Sequence, residues 1–244
     1  MSRNGGAGDG KKIPAGERLI FALDVPTPER ALELVDQLDD AVSFYKLGLE
    51  LFMSGSARFA DLARTLAERD KKIMVDLKFF DVPETVGRAV ARLRDFSATF
   101  ATVHGNDGML QAAVDRANGV KILAVTALTS LDQGDLDALG FKCDVRELVL
   151  SRAKRALELG CDGVVSSGLE APWLRRDYGD GFLIVTPGIR PVTNSEDDQK
   201  RTVDIETALR NGADYVVVGR PIRDAADPRE AALGCRRLIE AALG

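Results

Sequence analysis

The chain is short of the residues that build metal and disulfide sites. Its 244 residues include one histidine and three cysteines. His104 stands alone, and Cys143, Cys161 and Cys235 are far apart. Neither type supplies a cluster with metal-ligand spacing, so no metal is expected. An odd number of unpaired cysteines also argues against a disulfide framework and reads as reduced thiols of a cytoplasmic protein. No stretch approaches the roughly 18 apolar residues that a membrane helix needs, so no membrane association is expected. Positive charge is not in excess. A net charge of −5 argues against general binding to nucleic acid or an acidic membrane, and any phosphate recognition must be local. Residues 1–16 lack an apolar run and are rich in Gly, Lys and Asn. They read as a disordered tail rather than a signal peptide, leaving 17–244 as a single domain.

What the chain does have is a repeated alternation of short apolar runs with longer amphipathic segments. Eight runs read as strands: Arg18–Asp24, Ser43–Leu49, Lys72–Lys78, Thr99–His104, Val120–Thr126, Gly163–Ser166, Phe182–Thr186 and Asp214–Gly219. Helical patterns lie between them, among them Pro28–Leu38, Ser56–Arg69, Pro83–Arg94, Val145–Leu159 and Pro228–Ala242. Eight βα units in one chain of this length predict an α/β fold, a single-domain (β/α)₈ TIM barrel. A doubly wound open sheet is the weaker alternative. It calls for a Gly-x-Gly-x-x-Gly turn after the first strand, where Leu23-Asp24-Val25-Pro26 stands instead.

Chemistry in such a barrel sits where strands end. The third strand ends in Asp76-Leu77-Lys78-Phe79-Phe80-Asp81. Strand side chains alternate faces, so Met74, Asp76 and Lys78 point one way while Ile73, Val75 and Leu77 point the other. By the same register Asp24 follows Ile20 and Ala22, and Lys46 follows Phe44. Three consecutive strands therefore deliver Asp, Lys, Asp and Lys to one end of the barrel. Charges facing an interior are costly unless paired or used. Alternating signs hold one another charged. That casts Lys78 as a proton donor rather than a Schiff-base nucleophile, which must be neutral to attack. A fixed carboxylate beside a substrate carboxylate repels it, and loss of CO₂ relieves the repulsion. Decarboxylation without a cofactor is a reasonable use of Asp76 and Lys78.

The last two strands end in Thr186-Pro187-Gly188-Ile189-Arg190 and Val218-Gly219-Arg220-Pro221. Two arginines and glycine-rich backbone at this corner suit a phosphate. Pro191–Arg201 is polar and aperiodic, and its place beside that corner predicts a lid in which Gln199 reaches the ligand. His104 reads more readily as a packed supporting residue than as an acid or base. Trp173 reads as helix packing.

Together these residues resemble orotidine 5′-monophosphate decarboxylase from about Arg18 onward. The carriers are Ala22-Leu23-Asp24, Lys46-Leu47-Gly48, Asp76 through Thr85, Leu128-Thr129-Ser130, Pro187 through Arg190, Asp198 through Arg201, and Val218 through Pro221. The resemblance implies cofactor-free conversion of orotidine 5′-monophosphate to uridine 5′-monophosphate and CO₂ in pyrimidine biosynthesis. It casts Lys78 as the proton donor to C6 and Asp76 as the carboxylate beside the departing CO₂. Lys46 orients Asp76 and contacts ribose, and Asp24 binds a ribose hydroxyl. Thr129 meets the pyrimidine amide. Gln199 bridges lid to ligand, while Arg190, Gly219 and Arg220 hold phosphate. Asp81 and Thr85 reach the partner's site, implying a homodimer.

After His104 this chain reads Gly105-Asn106-Asp107-Gly108, where the family usually shows Ala and a Gly pair, which leaves the role of the fourth loop open. Magnesium-dependent sugar-phosphate decarboxylases and aldolases share the Asp-x-Lys-x-x-Asp pattern, but they carry a metal-binding Glu at the second strand's end. Here that position is Lys46, a cation, and Glu50 lies past the strand end. A non-catalytic nucleotide-phosphate binder on the same scaffold is the remaining alternative. Such a protein is expected to lose the charged set that this chain keeps.

Overall fold

The computed structural model describes residues 12–190 and 201–244. Its centre is a closed barrel of parallel strands in chain order: β1 Leu19–Ala22, β2 Phe44–Gly48, β3 Lys72–Phe79, β4 Phe100–Val103, β5 Lys121–Val125, β6 Gly163–Val165, β7 Leu183–Thr186 and β8 Tyr215–Val218. β8 pairs with β1, aligning Leu19 with Val216, and this closes the ring. The expected (β/α)₈ architecture is the observed one. Most strands are a residue or two shorter than the apolar runs suggest. Asp24 consequently lies in the loop beyond β1 rather than in the strand.

Side-chain alternation divides the core in two. Leu19, Phe21, Leu23, Tyr45, Leu47, Ile73 and Val75 point outward and pack beneath the helices. Ile20, Ala22, Phe44, Met74, Phe100 and Tyr215 point inward. Phe44, Phe100 and Tyr215 lie at strand beginnings, their ring centroids 5.0–5.8 Å apart. They plug one end of the barrel, so a cavity can open only at the other. Ile13 packs against this plug, and Ala15–Glu17 form a 3₁₀ turn. The folded body therefore reaches back into residues that read as tail in the sequence.

The helices begin where their capping chemistry dictates. Thr27 accepts the Arg30 amide at the start of Pro28–Leu38, and Asp144 with Glu147 forms a capping box before Val145–Glu158. Trp173 lies in the helix Ala171–Tyr178 with the Arg146 guanidinium 4.8 Å from its ring centre, a packing role as expected.

β3 departs from the regular pattern. Its register against β4 shifts between Val75 and Phe79, and Lys78 has a φ of 47°. Met74, Asp76 and Lys78 still face the barrel mouth and Ile73, Val75 and Leu77 the helices, as the alternation expects, so the shift is one of backbone pairing. The physical reason lies on β4: the Thr102 hydroxyl accepts the Lys78 amide at 3.0 Å, in place of a main-chain carbonyl of the ladder.

Candidate active site

The ends of β1, β2 and β3 bring four charges into one row. The Lys46 ammonium is 2.8 Å from Asp24 Oδ1 and 3.4 Å from Asp76 Oδ2. The Lys78 ammonium is 3.0 Å from Asp76 Oδ1. The inner pair is largely dry, with side-chain exposures of 12% for Lys46 and 11% for Asp76. The outer members are wetter, at 43% for Asp24 and 39% for Lys78. Burial alone would drive Lys46 toward its neutral form, but the charges of Asp76 and Asp24 outweigh it and leave the pKa above its usual value. Burial likewise opposes ionisation of Asp76. Lys46, Lys78 and the hydrogen bond from Thr102 reverse that and hold the carboxyl below its usual range. The inner pair, Lys46 and Asp76, is thus held in its charged form.

Two supports were not evident in the sequence. Thr102 donates to Asp76 Oδ1 at 2.9 Å while accepting the Lys78 amide, so one buried hydroxyl fixes both catalytic candidates. Gly48 leaves room for the Asp24–Lys46 contact: a Cβ there would sit 3.0 Å from Asp24 Oδ1 and 3.2 Å from Lys46 Nζ.

Above the row lies a cavity of about 550 Å³, a volume suited to a small organic ligand. Asp24, Lys46, Asp76 and Lys78 line one side, Leu128, Thr129 and Ser130 another, and Gly188, Arg190, Gly219 and Arg220 the corner after β7 and β8. Gly188 has a φ of 77°, open to glycine at no steric cost. Arg223 also lines the cavity and donates to the Asp24 carbonyl at 2.7 Å. Its one signal in the sequence is the spacing of three from Arg220.

Other expected residues are placed elsewhere. Asp81 is exposed and accepts the Val82 amide at 2.6 Å. Thr85 sits in the helix Pro83–Arg92. Neither lines the cavity of its own chain. Gln199 and the lid segment 191–200 lie outside the described residues. Arg201, the last residue of the expected lid, is described. Its side chain is 12% exposed and meets Glu170.

His104 stands behind the site. Its Nε2 faces Arg152 Nη1 at 3.2 Å, and because arginine can only donate, that nitrogen accepts. Burial, then the charges of Arg152 and Lys78, push its pKa down. The ring is a neutral supporting group, and the loop after it has a local role. Asn106 caps the helix Asp107–Asp115 by accepting the Met109 amide, and Asp107 pairs with Arg155. Among the described residues, no three His, Cys, Asp or Glu side chains form a group able to hold a metal ion. No described helix is long and apolar enough to cross a membrane.

Comparison with known proteins agrees with this geometry. The family model described as orotidine 5′-phosphate decarboxylase / HUMPS family matches residues 17–235. The chain belongs to this family. Orotidine 5′-phosphate decarboxylase of Methylococcus capsulatus is 65% identical over 223 residues, covering 91% of each chain. The enzyme of the same name from Xanthomonas euvesicatoria is 49% identical over 233 residues, covering 95% of each. The crystal structure of orotidine 5′-phosphate decarboxylase from Lactobacillus acidophilus superposes with a TM-score of 0.81 at 35% identity, over 91% of this chain and 99% of that one. Membership of the orotidine 5′-phosphate decarboxylase family makes the chain an enzyme of the carboxy-lyase class.

Proposed function

We propose that the protein converts orotidine 5′-monophosphate to uridine 5′-monophosphate and CO₂ without a cofactor, as a step of pyrimidine biosynthesis in the cytoplasm. The observation that carries this reading is the Asp24–Lys46–Asp76–Lys78 row on one wall of a cavity whose far corner holds Arg190 and Arg220.

The phosphate is held by Arg190, Arg220 and the backbone at Gly219, which suits planar guanidinium forks. Asp24 and Lys46 take ribose hydroxyls, and Thr129 meets the pyrimidine amide. The substrate carboxylate then faces Asp76. Two like charges about 4 Å apart cost roughly 4 kcal/mol at an effective dielectric near 20. Asp76 cannot escape by taking up a proton, because Lys46, Lys78 and Thr102 hold it ionised. The bond from C6 to the carboxyl carbon breaks, CO₂ leaves, and the electron pair remains at C6. The Lys78 ammonium stabilises that charge and gives it a proton, and solvent then restores the ammonium.

Asp81 and Thr85 act in the site of a second copy. Their neighbourhood supports a homodimer: Phe80 and Val82 flank Asp81 as exposed apolar side chains, and Leu49 and Met53 are exposed just beyond β2. Apolar side chains left exposed in this way suit burial against a second copy.

Loss of orotidine 5′-monophosphate absorbance, followed with pure protein in EDTA, tests the reading. Turnover indifferent to the chelator is expected. Binding of uridine 5′-monophosphate without turnover would leave a non-catalytic binder. Activity lost in EDTA and restored by magnesium would favour the sugar-phosphate relatives, although Lys46 stands where their metal-binding carboxylate is needed.

A further inference from the structure

We infer that Glu170 and Arg201 form a positioning pair that sets the base-facing wall of the cavity, and so its grip on the pyrimidine; this role rests on the decarboxylase reading. Glu170 follows β6 and is only 1% exposed. One of its oxygens accepts the Ser166 hydroxyl and the Ser167 amide, the latter at 3.0 Å. The other meets the Arg201 guanidinium. A carboxylate this deep is costly unless every bond it needs is supplied, and here three partners converge on it.

Arg201 turns its Nη2 and its main-chain amide on one short segment. Its Nη2 donates to the Leu128 carbonyl at 2.7 Å and faces that of Ala127 at 3.5 Å, and its main-chain amide donates to the Thr129 carbonyl at 3.3 Å. The Ser167 hydroxyl in turn donates to the Arg201 carbonyl at 3.1 Å. Three consecutive carbonyls after β5 are therefore held from behind by one arginine. The same segment presents Leu128, Thr129 and Ser130 to the cavity. The pair leaves Arg201 Nε buried without a hydrogen-bond partner among the described residues. Its partners lie in the loops after β5 and β6, whereas the charged row stands on β1 to β3. Loosening the pair should disturb recognition of the base and leave the ribose and phosphate contacts in place.

The test compares two ligands, uridine 5′-monophosphate and ribose 5-phosphate, which share phosphate and sugar but not the base. Glu170→Gln keeps the shape and removes the charge facing Arg201. The expected result is a Kd for uridine 5′-monophosphate raised about tenfold or more, with that for ribose 5-phosphate changed by no more than about twofold. Arg201→Lys, which keeps the charge but cannot reach all the carbonyls, should show the same selectivity and carries the test if Glu170→Gln does not fold. Equal weakening of both ligands, or a fall in Tm with uridine 5′-monophosphate binding intact, would overturn the proposal. Wild-type protein that binds ribose 5-phosphate but neither binds uridine 5′-monophosphate nor turns over orotidine 5′-monophosphate would overturn the decarboxylase reading and this inference with it. Normal wild-type turnover with unaltered binding in both variants would overturn the inference alone.

Discussion

Lys78 occupies a left-handed backbone conformation, φ 47°, which for a side chain other than glycine costs on the order of 1–3 kcal/mol and persists only where the surroundings enforce it. Thr102 is the enforcing group, through its bonds to the Lys78 amide and the Asp76 carboxylate. Thr102→Val should lower stability by about 1–3 kcal/mol, the penalty for stranding buried polar partners, and should slow turnover; denaturant titration and steady-state kinetics on one preparation check both. The inner pair of the charged row resists pH. Asp76, with its pKa depressed, contributes stability above its unfolded value of about 3.9 that is lost only as pH falls through a lower folded value. Lys46, with its pKa raised, contributes stability below about 10.4 that is lost only as pH rises through a higher folded value. His104 is the group whose unfolded pKa, about 6.5, lies near physiological pH. Its depressed pKa means the unfolded chain binds the proton more readily, so stability falls as pH drops below about 6.5. Melting curves at about pH 7.5 and 5.5, on either side of that value, should show a smaller loss on acidification for His104→Asn than for the wild type. Asp24, Lys46, Asp76 and Lys78 were legible in the sequence because a charge closing an apolar run is costly to bury and is kept there only where it is paired or used. Thr102 was not, since one threonine in Phe100–Val103 carries no signal until Lys78, 24 residues earlier, is placed beside it.

The strands were legible for a related reason. A barrel strand is buried on both faces, so each reads as a short apolar block, and eight such blocks leave little choice of fold. What such a pattern does not record is a departure from regular pleating, and the shift of β3 against β4 went unseen because it is imposed by a neighbouring strand. Gly48 shows how an element's composition serves the site. It ends β2 in an extended conformation open to any residue, φ −104°, yet a methyl group there would press on Asp24 Oδ1 and Lys46 Nζ. Both are ends of flexible side chains, so Gly48→Ala should change Tm little while displacing the pair. Small misplacements at a reacting centre are costly, so kcat/KM should fall roughly 10- to 100-fold, a split that parallel melting and kinetic measurements would reveal.

At the scale of the whole molecule, the plugged barrel leaves one open end, and of the described residues that the proposed reaction uses, all are gathered there except Asp81 and Thr85. Their role came from family resemblance alone, since no pattern within one chain says that a loop completes another chain's site. The proposed dimer makes a distinctive prediction. Lys78→Ala and Asp81→Ala should each be nearly inactive, yet a refolded equal mixture should regain up to about a quarter of wild-type activity. About half of randomly paired dimers are mixed, and one of the two sites in each is intact. No recovery in a mixture shown to contain mixed dimers would return Asp81 to the site of its own chain. The central claim is that Lys78 protonates C6, and it is tested most directly by pairing kcat for orotidine 5′-monophosphate with Kd for uridine 5′-monophosphate in Lys78→Ala. A lost proton donor should lower kcat by about 10²- to 10⁴-fold, while product binding, anchored by phosphate and ribose contacts, stays within about tenfold. A variant that keeps its kcat within a few fold would contradict the claim, because the proton would then reach C6 by another route.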